Sequence, residues 1–360
     1  MFSFSDERLD KIGKKIIKGE RLNLKDGLLI YNTRDLLGVG RLADYVRKKL
    51  HGDKAYYISN LHINYTNVCT NRCLFCAFAR DKGTQGAFTL SIEDVKKMLS
   101  NYSDAPINEI HIVGGLNPAL GMDYYIELLE TIKKMRPFAA IKAFTAVEIE
   151  FIARNSNLSL DTTIEKLKNA GLSMTPGGGA EIISSRVREK LFPAKIDGKK
   201  WLSIVETLHN AGIVSNATML YGHVETIRER VEHLITLREL QDKTGGFSAF
   251  IPLGFHPENT KLSHISPPTA LDDLKNIAAA RLILDNFDHI KAYWVMIGEK
   301  LAQVALSFGA DDLDGTIIEE KITHMAGAKS AKGLTQKQMR HMISSTGLIP
   351  VERDSFYRPV

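Results

Sequence analysis

The sequence predicts an α/β fold, a closed (β/α)8 barrel of the TIM type with a helical preface and a helical cap. Three observations carry this expectation. After residue 56, short β-branched or apolar runs alternate with helical stretches; eight such units fit into about 250 residues; and polar residues collect just beyond the runs. An open, doubly wound sheet is the alternative architecture for the same alternation.

Residues 1–55 read as helices with polar connections, the second of which takes Thr33 as its N-cap and Asp35 in its first turn. The predicted strands are 58–65, 109–113, 140–146, 172–175, 215–220, 247–253, 290–295 and, with the weakest pattern, 302–308. Helices are predicted at 91–99, 124–136, 162–170, 201–211, 225–241 and 271–284, a spacing that indicates parallel crossovers. The barrel is therefore assigned to 56–320 and the cap to 321–360, where a helical run over 335–344 packs back on the barrel. Several strands end in residues that packing does not require, among them His111 to Gly115, Glu148, Pro176 to Glu181, Tyr221 to His223 and His256 to Glu258. In a barrel these share the rim where active sites form.

Composition excludes several classes. Hydrophobic residues make up 44% of the 360 residues and charged residues 25%, which suits a globule with a sizeable core rather than a disordered or collagen-like chain. The charge of +5 is small for this length, and basic clusters such as Arg47-Lys48-Lys49 are too short for a phosphate-binding stripe, so no nucleic acid partner is expected. The sequence contains no long apolar run and its first residues are charged, so membrane insertion is not expected and the cytoplasm is the expected location.

All three cysteines, Cys69, Cys73 and Cys76, fall within eight residues. An odd number so crowded is not an internal disulfide framework. Soft thiolates at this spacing can wrap a compact iron-sulfur cluster, and three of them leave one position for an exogenous ligand. His62 reads as a core or rim residue rather than as a fourth ligand.

Cys-x3-Cys-x2-Cys with Phe75 before the last cysteine resembles the signature of the radical S-adenosylmethionine superfamily. The resemblance implies that Cys69, Cys73 and Cys76 hold a 4Fe-4S cluster and that S-adenosyl-L-methionine chelates its open iron. Electron transfer then cleaves the sulfonium C–S bond, in a barrel that excludes water. Gly114 and Gly115 resemble the family's segment that meets the methionyl amino group, with Leu116 where a Glu often stands, so main-chain contact is what carries over.

The resemblance extends along the chain. HIVGGLNPAL, IKAFTAVEI, TPGGGAEI, SNATMLYGHVE, FIPLGFHPEN and GADDLDG resemble segments of the aminofutalosine synthases of menaquinone biosynthesis. The dehypoxanthine futalosine cyclases and deazaflavin-forming enzymes share the PGGGAEI-like and TGGF-like segments, so the distinction rests on KAFTAVEI, SNATMLYGH and FHPEN. The implied reaction adds the 5'-deoxyadenosyl radical to 3-[(1-carboxyvinyl)oxy]benzoate, with aryl migration and decarboxylation, and forms 6-amino-6-deoxyfutalosine. A low-potential donor such as flavodoxin or ferredoxin is the implied partner, and a homodimer stays open.

Two substrate carboxylates call for anchors, for which Arg186, Arg188, Lys142 and Arg281 are candidates; bidentate geometry favours Arg186. Glu148 is assigned to ribose hydroxyls or the methionyl amine, and Glu181, after three glycines, to substrate or S-adenosylmethionine. His223 and His256 are candidates for proton transfer, each also readable as a hydrogen-bonded rim histidine. Phe75 and Tyr65 are candidates to border adenine. The non-enzymatic alternative, an iron-sulfur electron carrier, requires a fourth protein ligand.

Overall fold

Three helices open the chain in the computed structural model, which describes residues 2–360. α1 (Leu9–Lys18) stops at Gly19, whose φ of 71° is the left-handed turn that glycine accepts without strain. α2 (Leu24–Asn32) starts from a reciprocal capping box between Asn23 and Asp26. α3 (Leu36–His51) is capped by Asp35, which accepts the Gly38 N–H at 2.8 Å. Thr33 is therefore not the cap that the sequence suggested: it ends α2 in extended backbone, and its hydroxyl accepts the Asp35 N–H.

The first barrel strand is split at Ser59 into β1 (Lys54–Ile58) and β2 (Asn60–Ile63). β3 (Glu109–Ile112), β4 (Ala140–Ala143), β5 (Leu172–Thr175), β6 (Val214–Tyr221) and β7 (Phe247–Gly254) follow, then β8 (Asp312–Gly315) and β9 (Ile349–Glu352). Strands β2 to β7 form one parallel sheet in sequence order, and β1 sits between β8 and β9 in a second. Parallel bridges from Phe250 to Ile290, Lys291 to Asp312 and Leu61 to Ile318 close the curl between β7 and the first strand. The result is an α/β barrel whose seventh staves are bridges rather than a full ladder.

Two predicted strands need correction. Of 290–295 only Ile290 and Lys291 pair, and Trp294–Ile297 is a helical turn. Residues 302–308 lie in a helix, Glu299–Ala305, and the 3-10 turn Leu306–Phe308. There Ala302, Ala305 and Leu306 are buried at helical rather than alternating spacing. The strand actually used, Asp-Leu-Asp-Gly, is polar because its acids face partners inside the barrel: Asp312 accepts Arg353 Nε at 2.6 Å, and Asp314 pairs with Lys291 at 3.2 Å. Two helices absent from the sequence reading, Ala146–Asn155 and Ser185–Leu191, start from side-chain caps at Thr145 and Ser184.

The C-terminal segment does pack back, and it does so with a strand as well as the helix Gln336–Ser344. β9 runs beside β1, pairing Lys54 with Ile349 and Tyr57 with Glu352. Just beyond it Arg353 reaches Asp312, and the Ser355 hydroxyl donates to Glu109 at 2.8 Å. The tail thus seals the N-terminal end of the barrel.

Arg281, on the helix Ala270–Ile283, is fully buried against Asp311 and donates to the carbonyls of Gly309 and Asp288. It holds two chain segments together and does not line the barrel cavity, so its sequence-based candidacy as a substrate anchor is corrected to a structural role. Arg281→Met is expected to cost roughly 3–5 kcal/mol, the scale for breaking a buried ion pair. Urea denaturation checks this, and an unchanged midpoint contradicts it.

Candidate functional site

A cavity of about 360 Å³ opens at the C-terminal ends of the strands and reaches down into the barrel. At its mouth lie Cys69, Cys73 and Cys76, all reduced and partly buried. Their loop is pinned to the end of β3: the Thr70 N–H donates to the Leu116 carbonyl at 3.0 Å and the Gly115 N–H to the Thr66 carbonyl at 2.8 Å. The approach is so close that a Cβ on Gly115 would stand 2.3 Å from the Val68 carbonyl oxygen, and one on Gly114 would stand 2.7 Å from the Tyr65 ring. Only glycine fits at either position.

Burial pushes the Cys73 thiol up to about 11 and raises that of Cys69, with Lys195 opposing the rise. Among the described residues, the one group of His, Cys, Asp or Glu that gathers three ligand atoms within 4.8 Å is His51, His289 and Asp311, so the thiols stand wider apart than a single ion requires. That histidine and aspartate group lies at the opposite end of the barrel. It is internally satisfied, with His51 on the Asp288 carbonyl, His289 on Asp311 and Asp311 on Arg281.

Glu148 occupies the third position of the helix Ala146–Asn155, where one carboxylate oxygen accepts the Thr145 N–H at 2.8 Å. Its other oxygen accepts the Gly114 N–H and the Tyr65 hydroxyl, both at 2.9 Å. Burial still holds this carboxyl above its ordinary value against those donors. One residue therefore caps a helix, fixes the glycine pair and lines the cavity. Tyr65 itself stands behind Glu148, outside the cavity wall.

Glu181 is held with φ of 46°, and it accepts Lys195 Nζ at 2.7 Å. Burial penalises both charges, yet their attraction wins: the carboxyl is lowered and the ammonium raised. Lys195 also lies 5.3 Å from the centroids of Phe75 and Phe192. This lysine, beside the thiols, was not singled out in the sequence. Its only cue is a Lys three residues beyond the apolar pair Leu191-Phe192, which signals nothing without the fold.

Below this mouth the lining changes character. Strand register sets His62 beside His111 and His111 beside Lys142, so three polar side chains from β2, β3 and β4 share one interior layer. Lys142 pairs with Glu109 at 2.6 Å. Burial disfavours the Glu109 carboxylate, but Lys142 and Lys291 outweigh it and hold the group well below the carboxylate range.

His256 lines the cavity with Nε2 on the Met296 carbonyl at 2.9 Å. Two predicted site residues lie elsewhere. His223 is buried behind the wall, against Glu225 and the Leu220 carbonyl. Arg186 has a half-exposed side chain and forms a surface pair with Glu229 at 2.6 Å, so it does not reach the cavity. Arg188 is buried but donates to the Ala180 carbonyl, a loop-fastening contact.

Residues 63–237 match the radical SAM superfamily, and 244–360 match the CofH/MqnC C-terminal region. Over its whole length the chain is 44% identical to the aminodeoxyfutalosine synthase of Thermus thermophilus, covering 98% of that protein. The chain belongs to the radical SAM superfamily. This radical SAM enzyme is also 38% identical to the aminodeoxyfutalosine synthase of Streptomyces coelicolor, over 96% of its own length and 92% of that protein. A Methanosarcina barkeri protein named 5-amino-6-(D-ribitylamino)uracil--L-tyrosine 4-hydroxyphenyl transferase 1 is 39% identical over 93% of the chain and 90% of that protein. Its fold resembles crystal structures of methylornithine synthase (TM-score 0.76, 18% identity, 94% of this chain and 97% of the other) and of the FeFe-hydrogenase maturase of Carboxydothermus hydrogenoformans (0.74, 18%, 98% and 81%).

In this radical SAM enzyme, Gly115→Ala is expected to push the cysteine loop off the end of β3. The readouts are a lower thermal midpoint and less iron bound after anaerobic loading; wild-type values of both would show that the loop yields freely.

Proposed function

We propose that this enzyme is an aminodeoxyfutalosine synthase, joining the adenosyl part of S-adenosylmethionine to 3-[(1-carboxyvinyl)oxy]benzoate to give 6-amino-6-deoxyfutalosine in cytoplasmic menaquinone biosynthesis. The observation that carries this reading is the full-length, 44% identity to a synthase of that name. The cavity supports it, since thiols at the mouth and polar side chains at the floor leave an apolar span between them for an aryl group.

Cys69, Cys73 and Cys76 would hold a 4Fe-4S cluster, which fits three unpaired, partly buried thiols gathered at the cavity mouth. Once bound there and reduced by a flavodoxin or ferredoxin, such a cluster would supply the electron for cleavage of the sulfonium C–S bond. Gly114 and Gly115 offer bare main chain to the methionyl group, and Glu148 keeps that main chain in place through the Gly114 N–H. Glu181 and Lys195 form a charge-balanced pair beside the thiols, suited to orienting the polar ends of S-adenosylmethionine. Leu220, Ile251, Leu253 and Phe255 line the wall and exclude water from the reacting carbons.

A second reading is favoured by the 39% identity to the hydroxyphenyl transferase, in which the aryl donor is tyrosine. Mass spectrometry of anaerobic reactions with each substrate set decides between them. Aminodeoxyfutalosine identifies the synthase, and a hydroxyphenyl-substituted ribitylaminouracil identifies the transferase. Cys73→Ala is expected to lose iron and product while keeping wild-type far-UV circular dichroism; normal iron-dependent turnover in this variant contradicts the ligand assignment. Arg186→Ala, which removes only a surface pair, is expected to leave KM for the aromatic acid within about twofold.

A further inference from the structure

His62 and His111 form a parallel stack on the cavity floor, with ring centroids 4.4 Å apart and an interplanar angle of 14°. Both rings line the cavity, and His62 is only 5% exposed. What distinguishes them is the lack of partners. Of the 11 histidines, His264 and His341 are on the surface. His51, His209, His223, His233, His256, His289 and His324 each have a ring nitrogen tied to a protein group. No ring nitrogen of His62 or His111 is hydrogen-bonded to protein among the described residues. His62 is buried and His111 half-buried, and their rings face the cavity with no protein group bonded to any ring nitrogen, so the pair marks a place where a ligand can supply those bonds.

The surroundings define the ligand. Lys142 and Glu109 neutralise one another, as do Lys291 and Asp314, and Glu320 is engaged by His324. The floor therefore offers imidazole N–H donors in a field of balanced charge, with Lys142 beside them in register. An anionic group with planar lone pairs, a carboxylate, satisfies such donors.

Depth selects which carboxylate. His111 precedes Gly114 by three residues, on the order of 10 Å of strand at about 3.3 Å per residue, so the pair is far below the thiols. In the proposed aromatic substrate the enolpyruvyl carboxylate adjoins the reacting methylene and must stay near the mouth. It also departs as neutral carbon dioxide, which strong donors holding its charge would oppose. The benzoate carboxylate, retained in the product, is the natural handle.

Resting on the synthase reading, we infer that His62 and His111 form the subsite that binds the benzoate carboxylate and so set how deeply the aromatic acid enters the barrel. The test is calorimetric binding to the iron-loaded enzyme with S-adenosylmethionine but no reductant, so that nothing turns over. Three probes are used: 3-[(1-carboxyvinyl)oxy]benzoate, 3-hydroxybenzoate, which keeps only the ring carboxylate, and 2-phenoxyacrylate, which keeps only the other.

His62→Phe and His111→Phe are each expected to weaken the two benzoates by about tenfold or more, the scale of a hydrogen bond to a charged group. Binding of 2-phenoxyacrylate and S-adenosylmethionine should stay at wild-type strength, and His62→Gln, which keeps an N–H, should recover part of the loss. Wild-type benzoate affinity in a folded Phe variant overturns the subsite, as does an equal loss for 2-phenoxyacrylate. Failure of the synthase reading looks different: the wild-type enzyme then binds S-adenosylmethionine and none of the three acids.

Discussion

Charge balance inside the barrel is the constraint on which the rest of the structure depends. Barrels of this class ordinarily fill their interior with layers of branched apolar side chains. Here Glu109, Asp312 and Asp314 face Lys142, Lys291 and Arg353, three acids against three bases, each buried in the barrel. Any one of these alone would be prohibitively costly, and together they are tolerable only if the geometry is kept. That requirement explains why the final strand matters. Arg353 and Ser355 arrive from the tail to complete the partners of Asp312 and Glu109.

The same polar interior divides the cavity by function. Its mouth is built from loops that follow the strands, where close backbone approach is secured by Gly114 and Gly115 and charge by the Glu181–Lys195 pair. Its floor is built from the strands themselves, which position His62, His111 and Lys142 by register and not by loop conformation. Mouth groups thus sit on loops, and floor groups sit on rigid staves.

Most of the parallel strands and crossover helices were legible because apolar periodicity carried them, as in β5, whose limits agree with the expectation at both ends. The failure at the last stave has a physical cause: in β8 the inward positions are aspartates, so a strand that is buried on both sides reads as a loop, and the apolar helix beside it reads as a strand. The cysteine spacing and the glycine pair were visible because their chemistry is local in sequence. Arg186 was misjudged since arginine at a helix start suits a surface pair with Glu229 as well as a ligand. Lys195 and the histidine stack were missed because only the barrel brings them together with their neighbours, although the inward polar residues of HIN, HIV and IKA were a signal that could have been used.

The position of β9 has a consequence for how the chain comes into being. Its partner β1 is made about 295 residues before Ile349 to Glu352, since Lys54 pairs with Ile349. Until then the first strand has an open edge at its N-terminal end and the interior acids lack Arg353. On the ribosome, the nascent barrel is an unstoppered vessel until this long-range pairing forms, and its closure awaits release of residues 349–355. A growing polypeptide of this kind is exposed to misassembly until that strand is made, so its cellular yield should respond more to chaperone capacity than its finished architecture suggests.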